Sequence, residues 1–493
     1  MSTVVDRMDA GLGKFVARIV GEYPVRLAFF ASLLLSVIAV FGSPTLGRDA
    51  AFYLSIAERV SLEGPQVAWQ FFNWPWFTYL LAATHVVTRL PLEWCAHLWC
   101  GLFMAGTCAL LVDVVRQRAP AAAGWACLVV LAMPAVNQFR NDIIREYGFW
   151  FFCVLALWLV MRWQARGGWL RASAIHLAIG SAMLFRLEAL VLEVALLLWL
   201  LVGVREEHGV KRLVQFLVLP LLGGVVGLLA LLAKGGATSG RVQVYLEMLD
   251  PRGVYAAFRQ VADQFGDSMT YKYSRDETGR IVFFGMLAAL LIKFVSLSGP
   301  FSLPFLRHES WRALRTYLRD YQVFAWAALM YLAVLMLFFI NMQFMNGRYL
   351  SFLNLLTVPL LAVGIWHFAS RFPRMSKVLL VVGLLMMLSN VISTGARKTH
   401  LIEAGEWVSA NLDPQAKVYY DDGRVSYYAG RGYVVSPPQN DVIHGKAVQQ
   451  YSYFVLEGRP GEPWLTTWLE QHQMRVLASF ANRKNATVVV IGR

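Results

Sequence analysis

The stretch "LGRDAAFYLSIAERV" (Leu46–Val60) decides the fold class, because it directly follows the first long apolar run of the chain, residues 25–42. A run of that length is close to what a membrane span requires. Arg48 and Asp49 come at its end, and an amphipathic helix is predicted after them. The stretch therefore predicts a span that ends at a carboxylate on the membrane surface, followed by a helix lying along that surface.

The composition supports a polytopic membrane protein. Of 493 residues, 57% are hydrophobic and only 15% are charged, which soluble domains rarely show. The net charge of +14 could indicate nucleic acid, but the basic residues sit mainly in short loops between apolar runs, so membrane topology explains them and no nucleic-acid partner is expected. The five cysteines lie in or beside apolar segments without metal-site spacing and are predicted to be buried apolar side chains: Cys95, Cys100, Cys108, Cys127 and Cys153.

Eleven apolar runs are candidate spans. They are residues 25–42, 95–115, 120–137, 148–163, 171–186, 188–204, 213–233, 281–298, 321–340, 350–368 and 376–393. The first is predicted to be retained, because no convincing cleavage site of small residues follows it. A further run, 74–90, is ambiguous from its composition alone.

The distribution of basic residues predicts which loops face the cytoplasm. Basic clusters occur at 116–118, 162–171, 205–212, 307–319 and 371–377, and in the N-terminal segment with Lys14, Arg18 and Arg26. All six lie on the cytoplasmic side only if 74–90 does not cross. We therefore predict that "NWPWFTYLLAATHVVTRL" is a helix at the interface, that the N-terminus is cytoplasmic and that the C-terminus is outside.

Two domains are predicted. Residues 1–394 are predicted to form a transmembrane domain with outer loops 43–94, 138–147 and 234–280. Residues 395–493 form an extracytoplasmic α/β domain: "AGEWVSANL" and "PWLTTWLEQH" are predicted helices, and "AKVYYDD", "YSYFVLE" and "NATVVVIGR" are predicted strands. The fold class is thus a polytopic α-helical membrane protein with a small C-terminal α/β domain.

Acidic residues gather at the predicted outer ends of the helices, each with an arginine close by. They are Asp49 beside Arg48, Asp142 and Glu146 beside Arg140 and Arg145, and Glu188 beside Arg186. These could be interfacial ion pairs that cap helix ends. The alternative is one site in which carboxylates act as bases and arginines hold an anionic lipid-linked substrate. Arg186 and Arg348 interrupt apolar runs, so they either snorkel at hairpin turns or serve that site.

Several segments together resemble the GT-C glycosyltransferases, in the branch of the protein O-mannosyltransferases and the lipid A aminoarabinose transferase. "RDAAFYLSIAERV" resembles the Asp and helix after the first span, and "FNWPWFTYLLAATHVV" resembles the interfacial helix, with the single Pro75 in place of a Pro-Pro pair. "MPAVNQFRNDIIREYGFWFF" is similar to the second-loop motif, with Glu146 where Asp is usual. "FRLEAL" and "GRYLSFLNLLTVPLLAVGI" are similar to two later motifs, and nearly the whole chain is covered.

The resemblance implies an inverting transfer of a sugar from a polyprenyl-phosphate carrier to a lipid, glycan or protein acceptor at the outer face of the cytoplasmic (inner) membrane. By its match, Asp49 would be the base that takes the proton of the acceptor hydroxyl, and Glu146 the second-loop acid that assists it or helps to bind a metal. The need for a divalent metal stays open. The donor and its lipid phosphate would be bound by Arg48, Arg145, Arg186, Arg348 and Tyr349.

Two other function classes compete with this one. A transporter or lipid flippase would need polar residues or broken helices near the bilayer centre, whereas this chain concentrates its charge at the predicted outer face. A non-catalytic scaffold whose outer domain binds a partner would place no demand on Asp49.

The predicted outer loop 234–280 carries five basic residues and either covers the site or is solvated. They are Lys234, Arg241, Arg252, Arg259 and Lys272.

Overall fold

The computed structural model describes residues 21–233, 250–392 and 397–493. Four basic residues on which the sequence-based predictions depend lie outside these ranges: Lys14, Arg18, Lys234 and Arg241. The chain packs as two compact units. One consists of the described parts of 1–36, 99–140 and 145–391; the other consists of 37–98, 141–144 and the described part of 392–493.

The first unit is helical, and its helices follow the apolar runs of the sequence. The α-helices up to the third outer loop are Pro24–Gly42, Leu92–Arg118 (both of which continue into the second unit), Ala123–Ala132, Pro134–Asn137, Glu146–Arg166, Trp169–Phe185, Leu190–Val202 and Gly209–Ala233. Those after it are Pro251–Asp267, Lys272–Asp276, Thr278–Ser298, His308–Asp320, Gln322–Met342, Gly347–Leu356, Val358–Arg371 and Pro373–Val391. Short 3-10 helices cover Pro120–Ala122, Leu187–Ala189, Gly203–Arg205 and Gly299–Leu306.

Among the described residues, eight helices are long and apolar enough to cross a membrane. The pair Gly347–Leu356 and Val358–Arg371, bent by 61°, makes a ninth if it is one span, and two shorter apolar helices, Pro120–Ala132 and Trp169–Phe185, add two candidates. Each of the eleven predicted spans coincides with one of these. The protein is a polytopic α-helical membrane protein, as the sequence predicts.

Local sequence sets where these helices begin and how closely they approach. Proline occupies the first turn at Pro251, where its missing N–H costs nothing, and the Asp250 side chain caps the same helix by accepting from the N–H groups of Arg252 and Gly253. Gly148 lies against the ring of Phe185, and a methyl group at Gly148 would overlap that ring. This close approach brings the end of helix Trp169–Phe185 against the start of helix Glu146–Arg166.

The second unit contains the loop 43–94, which is predicted to be outside, and the C-terminal domain. The loop forms helices Arg48–Glu63, Ala68–Phe71 and Trp76–Thr88, and a 3-10 helix at Pro65–Val67. The predicted helices after the first span and within 74–90 are therefore present, while the position of the second at the membrane interface stays a prediction. In the C-terminal domain the helices are Thr399–Asn411, Gly423–Tyr428, Gln439–Ile443 and Pro463–His472, with a 3-10 helix at Lys446–Gln450.

Four strands form one mixed sheet in the order β1-β2-β4-β3. They are β1 (Val418–Tyr420), β2 (Tyr453–Glu457), β3 (Arg475–Ala481) and β4 (Thr487–Gly492). β1 and β2 are parallel, and β4 is antiparallel to both β2 and β3. Alternate residues of β4 enter different cores, Val488 and Val490 on one face and Val489 and Ile491 on the other, which explains its unbroken apolar run. β3 is not among the strands that the sequence predicts, and all of its residues are half-buried or exposed.

Candidate active site

Asp49 lies in the first turn of helix Arg48–Glu63, directly after the first membrane helix, where the sequence predicts it. Its carboxylate is half-buried. Gly47 is the residue before the helix, and a Cβ there would lie 3.5 Å from a carboxylate oxygen of Asp142. In the second unit, carboxylates from the loops 43–94 and 138–147 therefore approach the same helix N-terminus, which favours negative charge.

Arg48 is held by the C-terminal domain. Its Nε donates to Asp422 Oδ2 at 3.1 Å, and its Nη2 lies 3.6 Å from Glu457 Oε1. Asp422 follows β1 and Glu457 ends β2, so both carboxylates stand at the carboxyl ends of two parallel strands. The sequence predicts a substrate-binding arginine here; the structure shows one engaged by carboxylates far along the chain.

Asp422 is buried and takes hydrogen bonds from a second arginine. Arg424 donates to it through its backbone N–H at 2.9 Å and its Nε at 3.0 Å. Burial alone would raise the pKa of Asp422, but the hydrogen bonds from Arg424 and the charge of Arg48 hold it at about 2. A depressed pKa contributes stability at neutral pH that is lost only as the pH falls below about 4 towards 2, so the Arg48 contact persists in mildly acidic solution.

Further contacts fix helix Arg48–Glu63 against the same domain. The Tyr433 N–H donates to Ser55 Oγ at 2.9 Å, and the Leu46 N–H donates to the Tyr428 hydroxyl at 2.8 Å. Gly432 has a φ of +69°, where glycine is favoured, and a Cβ there would come within 3.1 Å of Ser55 Oγ. The C-terminal domain therefore helps to set the position of the helix that carries Asp49.

Glu146 belongs to a buried ion cluster in the first unit. Arg186 Nη1 donates to Glu146 Oε1 at 3.1 Å, while Nε and Nη2 of the same guanidinium donate to Glu188. All three side chains are at most 14% exposed. Arg145 is the residue before helix Glu146–Arg166, and its positive charge also acts on the Glu188 carboxylate. Two carboxylates thus face two guanidinium groups, the balance that buried charges require.

Tyr349 lies beside this cluster, and Arg348 is the residue before Tyr349 in the sequence. The guanidinium carbon of Arg186 is 4.8 Å from the centre of the Tyr349 ring, a cation–π contact. The Tyr331 hydroxyl donates to the Tyr349 carbonyl oxygen at 2.9 Å, which fixes the start of helix Gly347–Leu356. Arg348 is half-buried in the first turn of that helix, capped by the Asn346 side chain, which accepts from the Arg348 N–H.

Lys293 is a cation that the sequence analysis missed. A Cβ at Gly347 would lie 3.7 Å from Lys293 Cε and 3.6 Å from Gln138 Nε2, so both side chains approach the residue before Arg348. Lys293 stands within the predicted span 281–298, and an ionisable residue at membrane depth is itself a sign of function. That sign was available in the sequence.

Arg140, noted in the sequence analysis near Asp142, is buried and bonded to neutral groups. Its Nη1 donates to the Ser32 carbonyl and to the hydroxyls of Ser32 and Ser36, and its Nε donates to Asn137 Oδ1. These bonds tie the residues after helix Pro134–Asn137 to helix Pro24–Gly42. Its position predicts a structural role rather than a contact with substrate.

An apolar cavity of about 400 Å³ lies beside the helix Pro251–Asp267 of the third outer loop. Its lining residues are Pro251, Val254, Tyr255, Phe258, Phe283, Leu337 and Ile340. Such a lining suits a hydrocarbon chain rather than a sugar.

In the described residues no group of three or more histidine, cysteine or acidic side chains is arranged to hold a metal ion.

No protein family model and no curated protein sequence matches the chain. Its fold does match solved structures. ArnT from Cupriavidus metallidurans in the apo state aligns over 95% of this chain and 97% of its own, with a TM-score of 0.61 and 14% identity. The chain has a GT-C fold.

Two structures of the oligosaccharyltransferase of Archaeoglobus fulgidus share this GT-C fold. The complex with zinc and sulfate aligns over 88% of this chain and 68% of that one, with a TM-score of 0.58 and 12% identity. The form tethered to an acceptor peptide containing the NVT sequon aligns over 89% and 70%, with a TM-score of 0.53 and 11% identity. The resemblance inferred from the motifs is therefore confirmed at the level of the fold.

The predicted site residues divide between the two units. Arg48 and Asp49 belong to the second unit, whereas Arg145, Glu146, Arg186, Arg348 and Tyr349 belong to the first. Within the first unit, Arg186 contacts both Glu146 and Tyr349. Their catalytic and binding roles remain predictions.

Proposed function

We propose that the protein is a membrane glycosyltransferase that moves a sugar from a polyprenyl-phosphate carrier to an acceptor hydroxyl at the outer face of the inner membrane. The observation that carries the proposal is the GT-C fold over 95% of the chain, with Asp49 in the first turn after the first span. The side of the membrane rests on the distribution of basic loops.

Asp49 acts as the general base in this proposal. An Asp49 oxygen takes the acceptor's hydroxyl proton while that hydroxyl oxygen bonds to C1 of the sugar. The bond from C1 to the phosphate oxygen breaks, and the polyprenyl phosphate leaves with the electron pair, so the configuration at C1 inverts. A lipid donor moves only within the membrane, which is why a base at the end of the first span suits this reaction.

Arg348 and Lys293 hold the leaving phosphate. Arg348 lies in the first turn of helix Gly347–Leu356 and Lys293 approaches Gly347, and the positive end of the helix adds to their attraction for an anion. Negative charge develops on the phosphate as C1 is released, so fixed positive charge lowers the barrier. The apolar cavity beside Pro251–Asp267 accommodates part of the prenyl chain.

Glu146 supports the site from its ion cluster, either by assisting the acceptor or as a metal ligand. Arg186 is better placed to orient Glu146 than to bind phosphate, because its guanidinium already donates to two carboxylates. Arg48, engaged by Asp422 and Glu457, likewise positions the helix that carries Asp49. Arg145 and Tyr349, which adjoin the cluster, contribute to binding the donor.

The test is Asp49→Asn in purified protein reconstituted into vesicles with polyprenyl-phosphate sugars and an envelope extract as acceptor. Loss of the base should lower sugar transfer by about 100-fold or more. Glu58→Gln is the matched control, because Glu58 is an exposed acid on the same helix, and it should retain wild-type transfer. Unchanged transfer by the Asp49→Asn variant would refute the assignment of the base.

Mass spectrometry of envelope lipids, glycans and proteins from a deletion strain separates the enzyme from a transporter or a scaffold. A glycosyltransferase predicts that one class of molecule loses a sugar, and complementation by the Asp49→Asn variant should not restore it. Restoration by that variant would favour the scaffold, which places no demand on Asp49.

A further inference from the structure

A second cavity, of about 520 Å³, lies between helices His308–Asp320 and Val358–Arg371 of the first unit. Six residues line it: His308, Glu309, Arg312, His367, Ser370 and Arg371. None of them belongs to the candidate active site. Four of them belong to the basic clusters 307–319 and 371–377, which are predicted to be cytoplasmic, on the membrane face opposite to the predicted reaction.

The cavity carries an excess of positive charge. Among the residues that the structure describes, neither Arg312 nor Arg371 forms an ion pair with a carboxylate, and the one carboxylate of the lining, Glu309, lies 3.4 Å from His308. Two guanidinium groups therefore line the cavity against a single carboxylate, which leaves a net positive charge. Guanidinium groups favour phosphate because two parallel N–H donors fit two phosphate oxygens.

The cavity also offers hydrogen-bond acceptors for hydroxyl groups. Glu309 Oε2 is buried without a hydrogen-bond partner, although it lies near His308. The Ser370 hydroxyl donates to the Trp366 carbonyl oxygen, which leaves its own oxygen able to accept. A ligand that combines a phosphate with hydroxyl groups would satisfy both kinds of lining residue. The volume of the cavity lies within the usual range for sites that bind small molecules.

The helix that forms one wall is suited to a membrane surface. Trp311, Leu314 and Leu318 are exposed on helix His308–Asp320, which also carries exposed arginines. Exposed Trp and Leu beside basic residues are typical of a helix lying at headgroup depth. A lipid headgroup can therefore reach the cavity, as can a phosphate ester from solution.

We propose that this cavity binds a phosphate ester bearing hydroxyl groups, such as the glycerophosphate headgroup of an anionic phospholipid, with Arg312 and Arg371 on the phosphate and Glu309 accepting from a hydroxyl. The site is separate from the proposed sugar transfer and does not depend on it.

The experiment measures bound ligand by native mass spectrometry of delipidated protein titrated with phosphatidylglycerol, phosphatidylcholine or glycerol 3-phosphate. The variant Arg312→Gln with Arg371→Gln removes both guanidinium groups. The control, Arg315→Gln with Arg374→Gln, removes two exposed arginines that do not line the cavity. We expect the first adduct of phosphatidylglycerol to weaken by at least about tenfold in the former and by less than about twofold in the control.

The comparison among ligands identifies the source of the phosphate. Preference for phosphatidylglycerol over both other ligands assigns a lipid headgroup, and equally tight binding of glycerol 3-phosphate with the same dependence on Arg312 and Arg371 assigns a soluble ester. Arg312→Lys with Arg371→Lys keeps the charge but not the paired donors, and should bind at an intermediate level if the glutamine variant does not fold. Equal loss in the glutamine variant and its control, or no loss in either, would overturn the proposal.

Discussion

At the scale of single residues, the informative feature is the partner of each charged side chain. Arg186 stands out in the sequence because it interrupts an apolar stretch, which leaves snorkelling and site chemistry as alternatives. In the structure the Arg186 side chain does not extend to the surface. It is buried and donates to both Glu146 and Glu188. Removing it would leave two carboxylates without their main cation.

Arg186→Met should therefore destabilise the protein by about 3–5 kcal/mol, the usual cost of breaking a buried ion cluster from one side. Thermal melting in detergent measures the effect. Arg280→Met is the control, because Arg280 pairs with Glu277 at the exposed surface, where such a pair contributes about 1 kcal/mol or less. Adding Glu188→Gln to Arg186→Met should recover part of the loss. A melting temperature equal to that of the wild type would contradict a stabilising role for the cluster.

At the scale of elements, helix Arg48–Glu63 is more than an interfacial helix. Its residues make hydrogen bonds, an ion pair and ring contacts with the C-terminal domain, including an edge-to-face contact between Phe52 and Tyr433. The sequence predicts the helix from its amphipathic pattern. It could not predict these contacts, since the residues that meet Arg48 and Ser55 lie more than 370 positions later.

Ser55→Ala removes the acceptor of the Tyr433 N–H without removing the Cβ. We expect faster hydrogen exchange in peptides covering residues 430–436, because the half-buried Tyr433 amide loses a hydrogen bond with a net value of about 1 kcal/mol. Ser61→Ala alters an exposed hydroxyl of the same helix that bonds only to Glu58 and should leave that exchange unchanged. Identical exchange in both variants would show that the helix is not held at this point in solution.

At the scale of the whole molecule, the distribution of basic loops predicts which face each segment occupies. The N-terminus and the 162–171 loop should be cytoplasmic, and the C-terminal domain should be outside. This prediction is open to a direct chemical test because all five native cysteines are buried.

Ala165→Cys and Glu470→Cys place single reactive thiols at exposed positions of the predicted inner and outer faces. In intact spheroplasts a membrane-impermeant maleimide should label the variant at 470, and it should label the variant at 165 only after the membrane is permeabilised. The wild-type chain gives the background of the native cysteines. Labelling of position 165 in intact spheroplasts would reverse the assigned orientation and with it the outer location of Asp49.

The sequence by itself determined the membrane class, the position of every candidate span and most elements of the C-terminal domain. These depend on apolar length and periodicity, which are local properties of the chain. It did not reveal β3, whose side chains are too mixed in burial to give a period, or the insertion of β4 between β2 and β3. Tertiary structure alone decided that Arg48 meets Asp422, that Arg186 meets Glu146 and that Lys293 approaches Gly347. These contacts depend on which distant segments pack together, which no local pattern shows, and only for the buried pair of Arg186 and Glu146 does burial itself demand a partner.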